Sequence, residues 1–243
     1  MKNNFYNKEP YISIYEQPSY KSKISSQILY GEKFKILLEK KSWLKIKTSF
    51  DNYIGYIKKK NYSEKFSPTH KISILKADIF KFSKKYKKCK LKKFLPFSSK
   101  IEILKKYKNF VMFEKNKWIS LEDAKKNSYK EKNYEKILKM FINCKYKWGG
   151  KTFDGIDCSA LVQIFFQFNN KFVPRDTKDQ VQFFNKKKKL IRKHLIFWKG
   201  HVAVCLNKNS LIHAYGPKKK VVIMNIEKTI NEIRQNAKLE VIK

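Results

Sequence analysis

The chain has 243 residues, 42% hydrophobic and 15% aromatic, a composition typical of a folded protein with one to three domains. Basic residues outnumber acidic ones by 57 to 20, for a net charge of +37, and all but three of them are lysine. Because specific base and phosphate recognition favours arginine, and because the lysines are spread along the chain, we attribute the charge to surface composition and not to a dedicated nucleic-acid interface.

Cysteine spacing and hydropathy indicate the compartment. The four cysteines, Cys89, Cys144, Cys158 and Cys205, show no paired spacing that would suggest disulfides or a zinc site. The first ten residues contain no apolar run of the secretory kind, and no window approaches the ~18 apolar residues of a membrane span. We therefore expect a reduced, cytoplasmic protein without a membrane span, metal or cofactor; the sequence gives no indication of its oligomeric state.

Residues 1–66 are predicted to form a small β-barrel. Their apolar and β-branched residues mark short strands at 11–15, 33–38, 43–47 and 53–57. Several short strands joined by tight turns over about 50 residues are typical of a small closed barrel. The last segment, Tyr-Ile-Gly-Tyr-Ile, resembles bacterial SH3-like domains.

The same pattern recurs in residues 70–125. Strand-like segments lie at 72–75, 77–82, 100–104, 110–113 and 118–121. We predict a second, more divergent SH3-like barrel for this region.

From about residue 131 the apolar spacing becomes helical, and strands follow later. A helix is predicted at 158–169, and Thr177 is predicted to cap the next one. The later elements are strands at 195–198, 201–206, 211–215 and 221–225 and a helix at 226–235. Helices followed by an antiparallel sheet predict an α+β domain over residues 131–243.

Cys158 has the sequence context of a catalytic thiol. It follows the glycine-rich segment 146–157 and opens an apolar helix. The positive end of the helix dipole and a nearby imidazolium are expected to lower the pKa of such a thiol and to make it nucleophilic. The alternative is that Cys158 is simply a small buried apolar residue, which is common for a free cysteine.

Two histidines lie on neighbouring predicted strands. With a three-residue hairpin loop at 207–209, in which Asn209 takes the left-handed conformation, His201 and His213 become diagonal neighbours on one face of the sheet. His201 is then placed to act as a base, and His213 to fix its tautomer. A four-residue loop without a bulge would put the two imidazoles on opposite faces.

Ordered sequence blocks across residues 131–243 resemble the NlpC-type cell-wall cysteine peptidases. They include Tyr-Lys-Trp-Gly-Gly from Tyr146, Asp-Cys-Ser-Ala-Leu-Val-Gln from Asp157, Pro-Arg-Asp around Arg175, Gly-His-Val at 200–202 and Ile-His-Ala at 212–214. The branch most similar in its motifs and barrel modules is that of dipeptidyl-peptidase VI, the γ-D-glutamyl-L-diamino acid endopeptidases.

This resemblance implies a papain-like fold with a catalytic triad. Cys158 corresponds to the nucleophile, His201 to the base and His213 to the orienting residue. Tyr146 matches the family tyrosine beside the oxyanion and the substrate.

The resemblance also implies a substrate. Members of this branch cleave murein-derived peptides after γ-D-glutamate and require a free N-terminal L-alanine. Asp157 and Ser159 match the residues that flank the nucleophile, with the aspartate implied in binding the free amine. Arg175 matches a family position, and either substrate contact or support of the loop is consistent with it.

Two alternatives from other classes stand beside the peptidase. The first is a non-catalytic basic module that binds cell-wall polymer or nucleic acid, with steep salt dependence. The second is a metal site built from Cys158, His201 and His213 with Cys205, although these residues lack short-range zinc spacing.

Overall fold

The computed structural model describes residues 4–83, 88–186 and 194–242. The chain divides into two compact units, Met1–Lys130 and Glu131–Lys243. The predicted finer division of the first unit, at residues 66–70, stays a prediction.

The first unit begins with an antiparallel six-stranded sheet of order β1-β4-β5-β6-β2-β3. Its strands are β1 (Asn4–Tyr6), β2 (Tyr11–Tyr15), β3 (Ile24–Leu29), β4 (Lys33–Lys40), β5 (Trp43–Thr48) and β6 (Ile54–Lys58). Alternating apolar residues of these strands form the core, with Ile14, Ile28, Phe34, Leu44, Ile46 and Ile57 buried together. The four predicted strands are present, whereas β1 and β3 were not predicted.

The rest of the first unit forms two further sheets, of order β10-β7-β14 and β11-β12-β13-β8-β9. Their strands are β7 (His70–Ile72), β8 (Lys76–Phe82), β9 (Lys88–Pro96), β10 (Lys100–Ile101), β11 (Lys105–Tyr107), β12 (Phe110–Glu114), β13 (Lys117–Ser120) and β14 (Ala124–Lys126). Tyr30, the residue after β3, is buried in their core and donates a 2.8 Å hydrogen bond to Glu114. Because the two parts share this core, the second SH3-like barrel stays a prediction.

The second unit places helices against an antiparallel sheet of order β17-β18-β19-β20. Its helices are α1 (Tyr134–Lys139), α2 (Cys158–Phe168), α3 (Thr177–Lys186) and α4 (Ile226–Ala237). Its strands are β15 (Lys151–Thr152), β16 (Gly155–Ile156), β17 (Leu195–Trp198), β18 (His201–Cys205), β19 (Ser210–Tyr215) and β20 (Lys220–Asn225). Helix α2 is buried along almost its whole length and packs on β18 and β19. The α+β order predicted from the sequence is present.

The β18–β19 hairpin has the predicted register. Val204 pairs with Ile212 and Cys205 pairs with Leu211, which leaves residues 207–209 as the loop. The conformation predicted for Asn209 is wrong, since this residue has no positive φ. Instead, the side chain of Asn207 accepts hydrogen bonds from the backbone N–H groups of Asn209 and Ser210, at 2.9 and 2.8 Å, and closes the turn as an Asx motif.

Among the described residues, no helix is both long and apolar enough to cross a membrane.

Candidate active site

Cys158 is the first residue of α2 and lies between the helices and the sheet. Its Sγ atom is 4.0 Å from the Thr177 hydroxyl and 4.0 Å from the carbonyl oxygen of Gly200, and the backbone N–H of Val202 also contacts it. Gly200 and Val202 are the chain neighbours of His201, so the sulfur lies at the start of the strand that carries this imidazole. Only 5% of the Cys158 surface is exposed.

Burial gives the Cys158 thiol the opposite pKa shift from the one expected. The Val202 N–H, the Thr177 hydroxyl and the charge of Arg175 favour the thiolate, but burial and the nearby negative charge of Asp157 outweigh them. Together they raise the pKa of Cys158 to about 11. The expectation of an ionised resting thiol is therefore corrected: the free protein holds a neutral thiol.

The two imidazoles form a hydrogen-bonded pair on the sheet. His201 Nε2 lies 2.9 Å from His213 Nδ1. Burial lowers the pKa of His201 to about 4, and burial with the neighbouring His201 charge lowers that of His213 to about 3. Both rings are therefore neutral near pH 7, and His201 is able to accept a proton there.

Aromatic rings and a thioether surround the imidazole pair. The ring of Tyr215 stacks on His213 at 4.5 Å, and the ring of Trp198 lies 5.6 Å from His201. The outer nitrogen of His213, Nε2, lies 3.3 Å from the sulfur of Met224. These neighbours contact the two imidazoles without adding a charge beside them.

On the helix side of the sulfur, Asp157 and Arg175 form a buried bidentate ion pair. The guanidinium Nη1 donates to Asp157 Oδ1 at 2.9 Å and Nη2 donates to Oδ2 at 2.6 Å. Nη1 also donates to the Ser159 hydroxyl at 2.9 Å. Arg175 is 2% exposed, and its bonds to Asp157 and Ser159 stabilise the start of α2.

Asp157 also organises the backbone around Cys158. Its Oδ1 atom caps α2 by accepting from the Ala160 N–H at 2.8 Å and also accepts from the Ser159 hydroxyl, while Oδ2 accepts from the Gly149 N–H at 2.9 Å. With the two bonds from Arg175, five hydrogen bonds use the two oxygens, about the full acceptor capacity of a carboxylate. The predicted role of Asp157 in binding a substrate amine stays a prediction.

Tyr146 lies in the glycine-rich segment beside the sulfur. Its backbone forms an isolated parallel β-bridge with Ile156, the residue before Asp157. Its N–H donates to the Lys219 carbonyl at 2.8 Å. Burial raises the pKa of its phenol, and the negative charge of Asp157 acts in the same direction. The phenol therefore stays protonated and is available as a hydrogen-bond donor.

A glycine allows the close packing of this segment. Gly155 has φ +151°, and a Cβ atom there would lie 2.4 Å from the Cβ of Lys147. A larger residue would push apart the two sides of the loop that holds Tyr146 and Asp157.

The structure also bears on the predictions for Thr177 and for a metal site. Thr177 does not precede its helix as a cap but is the first residue of α3, and its hydroxyl faces the Cys158 sulfur. No group of three His, Cys, Asp or Glu side chains within the described ranges could hold a metal ion. Sequence reasoning missed the contacts of Thr177 and Met224 with the site; period-two alternation along β20 was the available signal for Met224.

Comparisons with known proteins agree with this architecture. A model of the NlpC/P60 family matches residues 143–238, and a model of the bacterial dipeptidyl-peptidase SH3 domain matches residues 14–61. Dipeptidyl-peptidase 6 of Lysinibacillus sphaericus is 35% identical over 77 residues, which cover 30% of this chain and 28% of that protein.

Two solved structures share the fold. An NlpC/P60 family protein from Bacillus cereus ATCC 10987 has a TM-score of 0.75 and 17% identity over 92% of this chain and 94% of the other. An NlpC/P60 endopeptidase from Photobacterium damselae subsp. piscicida has a TM-score of 0.64 and 13% identity over 98% of this chain and 70% of the other. The predicted papain-like fold and an N-terminal SH3-like domain are thereby confirmed. Residues 143–238 of this chain are an NlpC/P60 family domain, preceded at residues 14–61 by a bacterial dipeptidyl-peptidase SH3 domain.

Proposed function

We propose that the second unit is a cysteine peptidase in which Cys158 is the nucleophile, His201 the general base and His213 the residue that orients His201. The observation that carries this proposal is the position of the Cys158 sulfur. It contacts the backbone on both sides of His201, whose imidazole is hydrogen-bonded to that of His213. A thiol, a neutral imidazole and an orienting partner are the components of nucleophilic acyl transfer.

The pKa directions decide how the thiol is activated. The Cys158 thiol and the His201 imidazole are both neutral before the reaction. The Cys158 proton therefore passes to His201 as the sulfur attacks the peptide carbonyl, and no thiolate–imidazolium pair forms before the attack. The tetrahedral intermediate expels the amine, which takes the proton from His201 and leaves a thioester on Cys158. A water molecule then attacks the thioester and gives a proton to His201. The C–S bond breaks, the acid product leaves, and the imidazolium of His201 returns the proton to the Cys158 sulfur, which restores the thiol and the neutral base.

The developing oxyanion has two donors in its neighbourhood. The protonated phenol of Tyr146 is one, and the backbone N–H of Cys158, in the first turn of α2, is the other. The ion pair of Asp157 with Arg175, together with Ser159, holds this first turn in place. In this account the three residues position the substrate-binding loop and the nucleophile.

We further propose that the substrate is a murein-derived peptide with a free N-terminal L-alanine, cleaved between γ-D-glutamate and the diamino acid. Support comes from the motif resemblance and from the name of the L. sphaericus relative, a dipeptidyl-peptidase. The cysteines Cys89, Cys144, Cys158 and Cys205 are free, which is consistent with action in the reducing cytoplasm, in murein recycling.

Mass spectrometry of the products from L-Ala-γ-D-Glu-diamino acid peptide tests the bond and the substrate class. We expect L-Ala-γ-D-Glu and the free diamino acid product. The matched control is the same peptide with an acetylated N-terminus, which we expect to be cleaved far more slowly. Equal cleavage of both peptides would contradict the free-amine requirement, and no cleavage of either, together with salt-dependent polymer binding, would favour the non-catalytic alternative.

A further inference from the structure

The outer nitrogen of His213 faces a thioether on the next strand. His213 is fully buried, with Nδ1 2.9 Å from His201 Nε2 and Nε2 3.3 Å from Met224 Sδ. His213 pairs with Val222 on β20, and Met224 is two residues further along, so it is the diagonal neighbour on the same face. Both ring nitrogens of His213 therefore have a partner within the sheet.

The thioether determines which nitrogen donates and which accepts in the hydrogen bonds that link Met224, His213 and His201. Methionine sulfur has no hydrogen to donate and acts only as a weak acceptor, whereas a neutral imidazole carries one N–H. A hydrogen on His213 Nε2 therefore suits Met224 and leaves His213 Nδ1 as an acceptor. That acceptor takes the N–H of His201 Nε2, which leaves His201 Nδ1 unprotonated.

The other pair of tautomers, with the hydrogens on the Nδ1 atoms, would block the reaction. With the hydrogen on His213 Nδ1, the lone pair of His201 Nε2 is occupied and the hydrogen of His201 sits on Nδ1. Nδ1 is the remaining nitrogen of that ring, so a protonated Nδ1 cannot accept the proton of Cys158.

We propose that Met224 is a positioning residue that fixes the tautomer of His213, and through it that of His201, so that His201 Nδ1 is free to accept the Cys158 proton. This inference rests on the proposed peptidase function and deepens it. The proton moves from Cys158 Sγ to His201 Nδ1, while the Nε2 hydrogens of both rings stay in place. A carboxylate at the position of Met224 would also accept the hydrogen bond, but its charge would raise the pKa of both imidazoles.

Met224 also packs against the buried cluster that contains Trp198 and Leu211, so the test must separate its role as an acceptor from its role in packing. Met224→Leu keeps the apolar volume and removes the acceptor, and we expect kcat to fall about 3- to 10-fold with KM unchanged. Met224→Gln returns an acceptor and is expected to restore kcat to within about 2-fold of the wild type. The matched control is Met140→Leu, expected to have no effect. Unchanged kcat in Met224→Leu, or equal losses in the Leu and Gln variants, would overturn the proposal.

A spectroscopic measurement on the unaltered protein tests the tautomers without relying on the variants. The chain has four histidines, so ¹⁵N-labelled imidazoles can be assigned individually. We expect the hydrogen on Nε2 in both His201 and His213; a hydrogen on Nδ1 of His213 would overturn the inference. Because this readout needs no substrate, it separates failure of the Met224 role from failure of the peptidase assignment.

Discussion

The polar groups on the two sides of the Cys158 sulfur are buried in different states, as a charged pair on one side and as neutral rings on the other. On the helix side, Asp157 and Arg175 are buried together as a bidentate ion pair, in which each charge compensates the other. On the sheet side, His201 and His213 have only neutral partners, and burial lowers their pKa values to about 4 and about 3. The two sides therefore have different roles. The charged pair holds the loop and the start of α2, and the neutral imidazoles remain able to take up a proton.

Among changes on the two sides of the sulfur, removing the base from the sheet side has the largest expected effect on turnover. We expect His201→Ala to lower kcat by about 10²- to 10⁴-fold, because general-base catalysis is lost, while KM changes little. Steady-state kinetics on the defined murein peptide measure this. His70→Ala, in the first unit, is the control and should match the wild type; a His201→Ala enzyme within a few-fold of the wild type would exclude His201 as the base.

Breaking the helix side should instead act mainly on stability. Asp157→Ala leaves the Arg175 charge buried without its partner, and we expect the free energy of unfolding to fall by about 3–5 kcal/mol. Urea denaturation of the full chain measures the change.

A second ion pair provides the matched control for this substitution. Arg234 forms a similar two-bond pair with Glu240, at 2.7 and 3.0 Å, but on the surface. Glu240→Ala should leave the denaturation midpoint essentially unchanged. Equal effects of Asp157→Ala and Glu240→Ala would contradict the importance of burial in the first pair.

The smallest expected effect is the change of kcat with pH between neutrality and about pH 5. A neutral His201 is the active base, and its folded pKa of about 4 lies below the usual 6.5. As the pH falls through 6.5 we therefore expect kcat to stay constant, and to decline only as the pH approaches 4. On the alkaline side, ionisation of the thiol, with its pKa raised to about 11, sets the limit. An acid limb centred near pH 6.5 would show that His201 is solvated during turnover.

The arrangement of the β18–β19 hairpin was predictable because period-two alternation and loop length together determine register. His201 and His213 could therefore be placed side by side from the sequence. The turn itself was not predicted correctly, since Asn207 and Asn209 are both suited to turns and the side chain of Asn207 determines the local geometry.

Properties that depend on burial and on distant contacts could not be predicted in the same way. The helix dipole is evident from the sequence, but the burial that raises the Cys158 pKa is not. The pairing of Asp157 with Arg175 spans 18 residues and depends on how the chain returns to α2. The contact of Met224 with His213 depends on the β19–β20 register, which the apolar pattern alone leaves open.

Turnover of the defined murein peptide by Cys158→Ala, compared with Cys144→Ala, shows whether Cys158 is the nucleophile. Both cysteines are buried in the second unit, so the same substitution carries a similar structural cost. We expect Cys144→Ala to yield the same products as the wild type, and Cys158→Ala to show turnover at least about 10³-fold lower with its fold intact. Products formed by Cys158→Ala at a rate comparable to that of Cys144→Ala would contradict the assignment of Cys158 as the nucleophile.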